Sequence, residues 1–224
     1  KVHKMPALPC LAGLEILLIL VFSIPLGIFT ARHAGGRMDK ALTSVNQVLM
    51  AIPAFVTGIL LTYVFGLVLR LFVPGNFVSP GDNFGASLWY FLFPAVSIAL
   101  PRVAMTVKML RSSILSEMER DYVRTSHSRG NSDRATLYRH VLRNAMGSVV
   151  SFLAMTVADI VAGSVVIEQV FSLPGLGRML LTSIANRDYP VVQAVVVIVA
   201  FWVVLVNLLA DLINQRLDPR LRLQ

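Results

Sequence analysis

The sequence predicts an all-α fold, a polytopic membrane protein built from bilayer-crossing helices, and three observations carry that prediction. Hydrophobic residues make up 56% of the 224 residues and charged residues 14%, with a mean hydropathy of +0.72. A soluble core of this size does not need so much apolar surface. The apolar residues gather into five runs, each at or above the ~20 residues that a bilayer crossing takes. Lys and Arg concentrate in alternate connections between the runs, the asymmetry that orients membrane helices. The net charge of +8 therefore reads as a mark of cytoplasmic loops rather than a nucleic-acid surface. Cys10 is the sole cysteine, which excludes an internal disulfide and a Cys-rich metal site.

In chain order, the first run covers about residues 11–31, with Glu15 near its start and Pro25 near its end. Residues 1–9 lack the pattern of a signal peptide. The second run, about 43–72, is longer than a crossing needs, so a tilt, a kink at Pro53 or a projection beyond the bilayer are all open to it. The third covers about 86–110 and is interrupted by Pro94 and Pro101; the fourth covers about 145–171 and the fifth 191–213. Prolines are tolerated in such spans where neighbouring helices satisfy the freed carbonyls.

Loop 31–42 carries Arg32, Arg37 and Lys40, segment 102–143 carries nine Lys/Arg, and the tail carries Arg216, Arg220 and Arg222. The alternate connections are poorer: Arg70 alone in 70–88, Arg178 and Arg187 in 172–190. The basic segments and the C-terminus are accordingly expected in the cytoplasm. Five crossings then leave the N-terminal end outside, and a sixth span ahead of Lys1 is expected. Trp89, Tyr90 and Tyr189 stand where outer interfacial anchors belong. No internal repeat divides the chain, so residues 1–224 read as one domain.

The segment RDYVRTSHSRGNSDRATLYRHVLRN, residues 120–144, interrupts this apolar chain with six arginines, two histidines and two aspartates. On a helix over about 115–129, Leu115, Met118 and Tyr122 share one face, and Ser116, Arg120, Arg124 and His127 the opposite one. Gly130 permits the left-handed conformation that ends a helix. Ser132 is placed to cap the next helix, with Asp133 in its first turn. Leu137, Tyr138, Val141, Leu142, Ala145 and Met146 then form an apolar side leading into the fourth span. The pattern is helix, glycine joint, helix. A polybasic loop resting on anionic lipid would explain the charge alone; it does not require two capped helices around a glycine.

This segment resembles the cytoplasmic EAA-type loop of ABC-importer permeases of type I, in their dipeptide/oligopeptide/nickel branch. VVIEQVFSLPGLGRMLLTSIANRDYPVVQA, NLLADLINQRLDPRLR, IPLGIFTARHAGGRMDK and AIPAFVTGILL resemble the same branch, so the likeness covers essentially the whole chain. It implies one type I transmembrane domain over 1–224, with a coupling loop over 111–144 that docks in a groove of a partner ATPase. Arg124, Thr125 and Ser126 fall at the loop's E-A-A positions and Gly130 is its glycine. Asp121, Tyr122, Val123 and Arg124 match the lead-in, and Arg139, His140, Leu142, Arg143 and Asn144 the exit. The run SHSRG departs from the small, alanine-rich residues usual before the glycine, which bears on which ATPase fits. The resemblance further implies a second homologous permease subunit, two ABC ATPase subunits, an extracytoplasmic binding protein, and a bacterial or archaeal inner or plasma membrane. It implies no catalytic residue and no cofactor on this chain, with ATP and magnesium on the ATPases. The residues agree: G-x-x-x-x-G-K-[ST] is absent from the sequence, so the chain has no such phosphate cradle of its own.

Two acids in the fourth run stand out. A charge near the bilayer centre costs roughly 2.5–3.5 kcal/mol on insertion scales, so Asp159 and Glu168 are expected to face the bundle interior or water. Both are candidates to line a translocation path; Glu168 matches a family position and Asp159 does not. For Asp159 a hydrogen-bonded packing role is the alternative, and Asp211 reads as a structural interfacial acid. SLPGLGR, with Pro174, Gly175, Gly177 and Arg178, looks like a phosphate loop but follows a span on the outer side, so it reads as a tight outer turn. In the family that turn lies near the mouth meeting the binding protein. His33, His127 and His140 lie in separate loops or faces, so no shared metal site is expected. The functional expectation is an importer permease for di- or oligopeptides, with nickel or another small solute as the alternative. A channel or ion-coupled carrier using Asp159 and Glu168, and a scaffold without transport, are the rivals from other classes.

Overall fold

The computed structural model describes residues 7–217, and their side chains except at 7–9, 157–163, 210, 211 and 213–217. Its helices are α1 (Ala7–Arg32), α2 (Arg37–Ala51), α3 (Ala54–Leu61), α4 (Phe84–Met118), α5 (Asp121–Ser128), α6 (Asp133–Thr136), α7 (Leu142–Val170), α8 (Leu176–Ala185) and α9 (Tyr189–Leu217). Wider π-helical turns extend α3 over Thr62–Val68 and join α6 to α7 over Leu137–Val141. Helices α1, α4 and α9 are long and apolar enough to cross a bilayer, and α7, at 29 residues, has the length.

The second expected span is not one rod. Helices α2 and α3 meet at 94°, because Ile52 (φ −84°, ψ 119°) and Pro53 (φ −59°, ψ 141°) both leave the helical region. Proline removes the amide that would extend α2, and its ring drives the preceding residue out of the helical basin. Of the three accommodations, the chain takes the kink at Pro53, and takes it as a full break. Helix α4, by contrast, absorbs Pro94 and Pro101 and continues for 35 residues.

Helix α1 packs along α4. A Cβ at Gly27 would lie only 2.8 Å from Leu110 Cδ2, so the small residue is what allows this close approach. Deeper in the same seam Arg102 Nη1 donates to Glu15 Oε1 at 2.5 Å, and Glu15 is fully buried. Arg102 was counted from sequence with the basic loop; it lies instead inside α4, partnered across the membrane helices.

Two apolar clusters hold the bundle at its ends, termed outer and inner after the orientation that the Lys/Arg distribution predicts. The outer one joins Leu11 of α1, Phe91 and Ile98 of α4, and Ile167 of α7 to Phe72, Phe171 and Leu173. Tyr90, expected as an interfacial anchor, is buried there. Its hydroxyl donates to Phe171 O at 2.5 Å and accepts from Gly75 N at 2.9 Å. Trp89 does remain half exposed, donating from Nε1 to Leu71 O at 3.1 Å. The inner cluster joins Ile28 and Ala31 of α1, Leu110 and Ile114 of α4, Val123 of α5, and Leu137, Val141, Ala145 and Val149 leading into α7.

Candidate functional site

The basic segment forms a bracket at the inner cluster, with one departure from its expected outline. Helix α4 ends at Met118, and Arg120 is extended (φ −76°, ψ 150°) before α5 starts. The continuous helix expected over 115–129 is therefore two helices. Glu117 supports the corner: it pairs with Arg120 at 3.0 Å, accepts from the Tyr122 hydroxyl at 2.8 Å, and accepts from Asn144 Nδ2 of α7 at 3.5 Å. Burial, and then the bond to Glu117, push the Tyr122 phenol above its ordinary pKa, so it remains a donor at neutral pH.

Gly130 ends α5 in the left-handed region at φ +83°. Gly130 N donates to His127 O at 2.8 Å and Asn131 N to Ser126 O at 3.3 Å, the pair of bonds that defines a Schellman C-terminus. Ser132 then caps α6, accepting from Ala135 N at 3.3 Å. His127 Nδ1 and Asp133 Oδ1 lie 3.5 Å apart across the joint. Behind it, Ser126 and Thr136 hydroxyls bond at 2.9 Å, and Asn131 Nδ2 donates to Ser126 Oγ at 3.1 Å.

The residues expected to dock a partner divide in two. Asp121, Arg124, Thr125, Gly130, Arg139 and His140 are exposed. Ser126 is buried in the α5–α6 contact and Tyr122 is half-buried against Glu117; both shape the bracket from within, so Ser126 is not available to a docking surface. Tyr138, expected on the apolar side, is exposed and lies 6.0 Å beneath the Arg134 guanidinium.

At the other end of α7 the SLPGLGR run does more than turn. Ser172 takes φ +53°, closing α7 with Leu173 N to Glu168 O at 2.8 Å and Ser172 N to Gln169 O at 3.2 Å. Pro174 and Gly175 then lead into α8, an outer helix that the sequence reading missed. The Glu168 carboxylate, 3% exposed, sits at the N-terminus of α8. It accepts from the Arg178 amide at 3.1 Å, from Ser164 Oγ at 3.4 Å and from the Gly177 amide. Helix N-termini favour such an anion. A Cβ at Gly175 would overlap this carboxylate, and one at Gly177 would press on the Val165 backbone. The two glycines thus make room for the acid, and Arg178 Nη1 donates to Ser172 O at 2.9 Å. Glu168 was expected to line a path; its carboxylate is consumed inside the chain as a helix cap. Asp159 and Asp211 fall among the residues whose side chains are outside the described ones.

A further pair escaped the sequence reading. Asp39, in the first turn of α2, takes both Nε and Nη2 of Arg111 in α4 at 2.7 Å each. Gly35 N adds a bond at 2.9 Å and Thr43 Oγ1 one at 3.5 Å. No spacing rule links residues 72 positions apart.

The family model described as binding-protein-dependent transport system inner membrane component matches residues 23–223. The chain is 33% identical to a probable peptide ABC transporter permease protein of Sinorhizobium fredii, over 95% of this chain and 68% of that protein. It is 32% identical to an oligopeptide transport system permease protein of Bacillus subtilis, over 97% of this chain and 70% of the other. A nickel import system permease protein of Staphylococcus aureus is 32% identical, over 93% of this chain and 60% of its own length. Among solved structures, the MetNI methionine ABC transporter in inward-facing conformations has the same fold. Its TM-score is 0.74 at 15% identity, with 97% of this chain and 95% of that chain covered. The bracket, the capped outer turn and the bundle between them are thus those of a transporter's membrane component, and the chain belongs to the binding-protein-dependent transport system inner membrane component family.

Proposed function

We propose that this chain is a permease subunit of an ATP-driven importer of di- or oligopeptides, forming half of the translocation path. The observation that carries the docking role is the bracket. It is a glycine-jointed pair of helices whose exposed side bears Asp121, Arg124, Thr125, Gly130, Arg139 and His140, and whose buried side is packed on α1, α4 and α7. A rigid surface element joined to two spans can pass rigid-body motion into the bundle, as alternating access requires. Two ABC ATPase subunits, holding ATP and magnesium, would dock there; a second homologous permease and an extracytoplasmic binding protein complete the assembly. The bracket and the C-terminus lie on the cytoplasmic side in this reading, as the Lys/Arg distribution favours. The turn with Pro174, Gly175, Gly177 and Arg178 then lies on the outer side near the binding protein, and Asp159 lines the path.

The named peptide permeases among the relatives support the substrate class; the nickel permease supports a second reading. The complete complex in liposomes separates them. Labelled dipeptide should accumulate with ATP and not with a non-hydrolysable analogue, and the Asp159→Asn variant should change substrate affinity. Accumulation of nickel in place of peptide would establish the second reading. Gradient-driven flux through this chain without ATPases would overturn both.

A further inference from the structure

From the break at Ile52–Pro53 and the Asp39–Arg111 pair, we infer that α2 is an arm carried by the docking bracket and hinged against α3. The inference rests on the transport reading above and adds the route by which a push on the bracket enters the broken span. The inner end of α2 is fastened to α4 by two 2.7 Å charge-assisted bonds in fork geometry. Asp39 is 3% exposed and the Arg111 side chain 29%, so water screens that link from the arginine's side alone. Gly35 N, in the corner between α1 and α2, holds the same carboxylate. Arg111 lies seven residues before the end of α4, where Glu117 binds Tyr122 of α5 and Asn144 of α7. Bracket, inner α4 and inner α2 are therefore joined by short polar links at each step.

Helix α3 packs on α4 as well, but toward the outer cluster. A Cβ at Gly58 would lie 3.2 Å from the Phe171 ring, and Ala54 packs on the outer cluster. Between α2 and α3 stand only Ile52 and Pro53, both outside the helical region. A hinge is a short segment of this kind, and the helices flanking it are held toward opposite ends of the bundle. Asp39 is in this sense a positioning residue for transport. It does not touch a docking face; it keeps α2 registered to whatever moves α4.

The test uses the complete complex in liposomes, with Asp39→Asn and Asp39→Ala. Basal ATP hydrolysis and ATPase binding should stay within about twofold, since the bracket is untouched. Peptide uptake per ATP should fall about tenfold, a common size for coupling between sites. Spin labels provide a readout that simple destabilisation does not mimic. In a Cys10→Ser background, Ser44→Cys in α2 is paired with Ser112→Cys in α4, or with Ile59→Cys in α3. Between the nucleotide-free and vanadate-trapped states, the α2–α4 distance should hold while the α2–α3 distance shifts. In the Asp39→Asn complex the α2–α4 distance should broaden. An α2–α4 distance that changes while α2–α3 holds overturns the inference, as does unchanged uptake per ATP in both Asp39 variants. Loss of ATP-driven uptake in the unmodified complex would instead overturn the transport reading itself.

Discussion

The two ends of α7 solve a similar problem with opposite surroundings. At the inner end the bracket turns at Gly130, whose φ of +83° comes cheaply to a residue without a Cβ, and a Cβ there would meet open space. At the outer end the chain turns at Ser172, φ +53°, and the next turn is packed so closely that glycines at 175 and 177 are needed to fit the Glu168 carboxylate and Val165. Both ends use Schellman-type bonds. The inner end turns its charged groups outward, whereas the outer end turns the Glu168 carboxylate inward. Local sequence chemistry makes a turn; what packs around it decides whether the turn is a surface or a lock.

This contrast can be broken by mutation, outer lock first. Glu168→Ala should cost about 3 kcal/mol by leaving the Gly177 and Arg178 amides and Ser164 without their buried acceptor. The measurement is a thermal shift of the purified complex in detergent, and a change of under a degree would dissolve the lock. Gly175→Ala should cost about 2 kcal/mol through displacement of that same carboxylate, and the double variant with Glu168→Ala should cost less than the sum. Strict additivity would show that the two residues are independent.

On the inner side the effects shrink. Ser126→Val should cost about 1–2 kcal/mol, because Thr136 and Asn131 lose a buried partner. Amide exchange should then quicken across α5 and α6 and not across α8. Gly130→Ala should cost about 1 kcal/mol in the left-handed joint. Arg124→Ala, at an exposed position, should change stability by less than about 0.5 kcal/mol. Its loss should register as weaker co-purification of the ATPase. If Arg124→Ala lowered stability as much as Glu168→Ala, the contrast between surface and lock would be lost.

Much of this was legible in the sequence where the governing rules are local. Gly130 and Ser132 take the roles their residue types announce, and five apolar runs coincide with α1, the α2–α3 pair, α4, α7 and α9. The misses are non-local. The restart at Arg120 depends on Glu117 gathering Tyr122 and Asn144, and Asn144 lies 27 positions away. The fate of Glu168 depends on where α8 begins, and the amphipathic run LGRMLLTSIA was overlooked beside a more conspicuous glycine pattern. Arg102 looked like loop charge because its partner lies 87 positions upstream. Helical periodicity shows which face a residue shares; it does not show which helix will meet that face.

That last pairing has a consequence for how the chain is made. Glu15 leaves the ribosome long before Arg102 exists, 87 residues later. A charge in a crossing costs up to roughly 2.5–3.5 kcal/mol at the bilayer centre, and Glu15, nearer the start of α1, carries a part of that cost until its partner arrives. The acid is paired only once α4 delivers the guanidinium, and a nascent chain halted before residue 102 would hold α1 less firmly. The order of synthesis is thereby written into the seam, with α1 waiting on a later helix for its counter-ion.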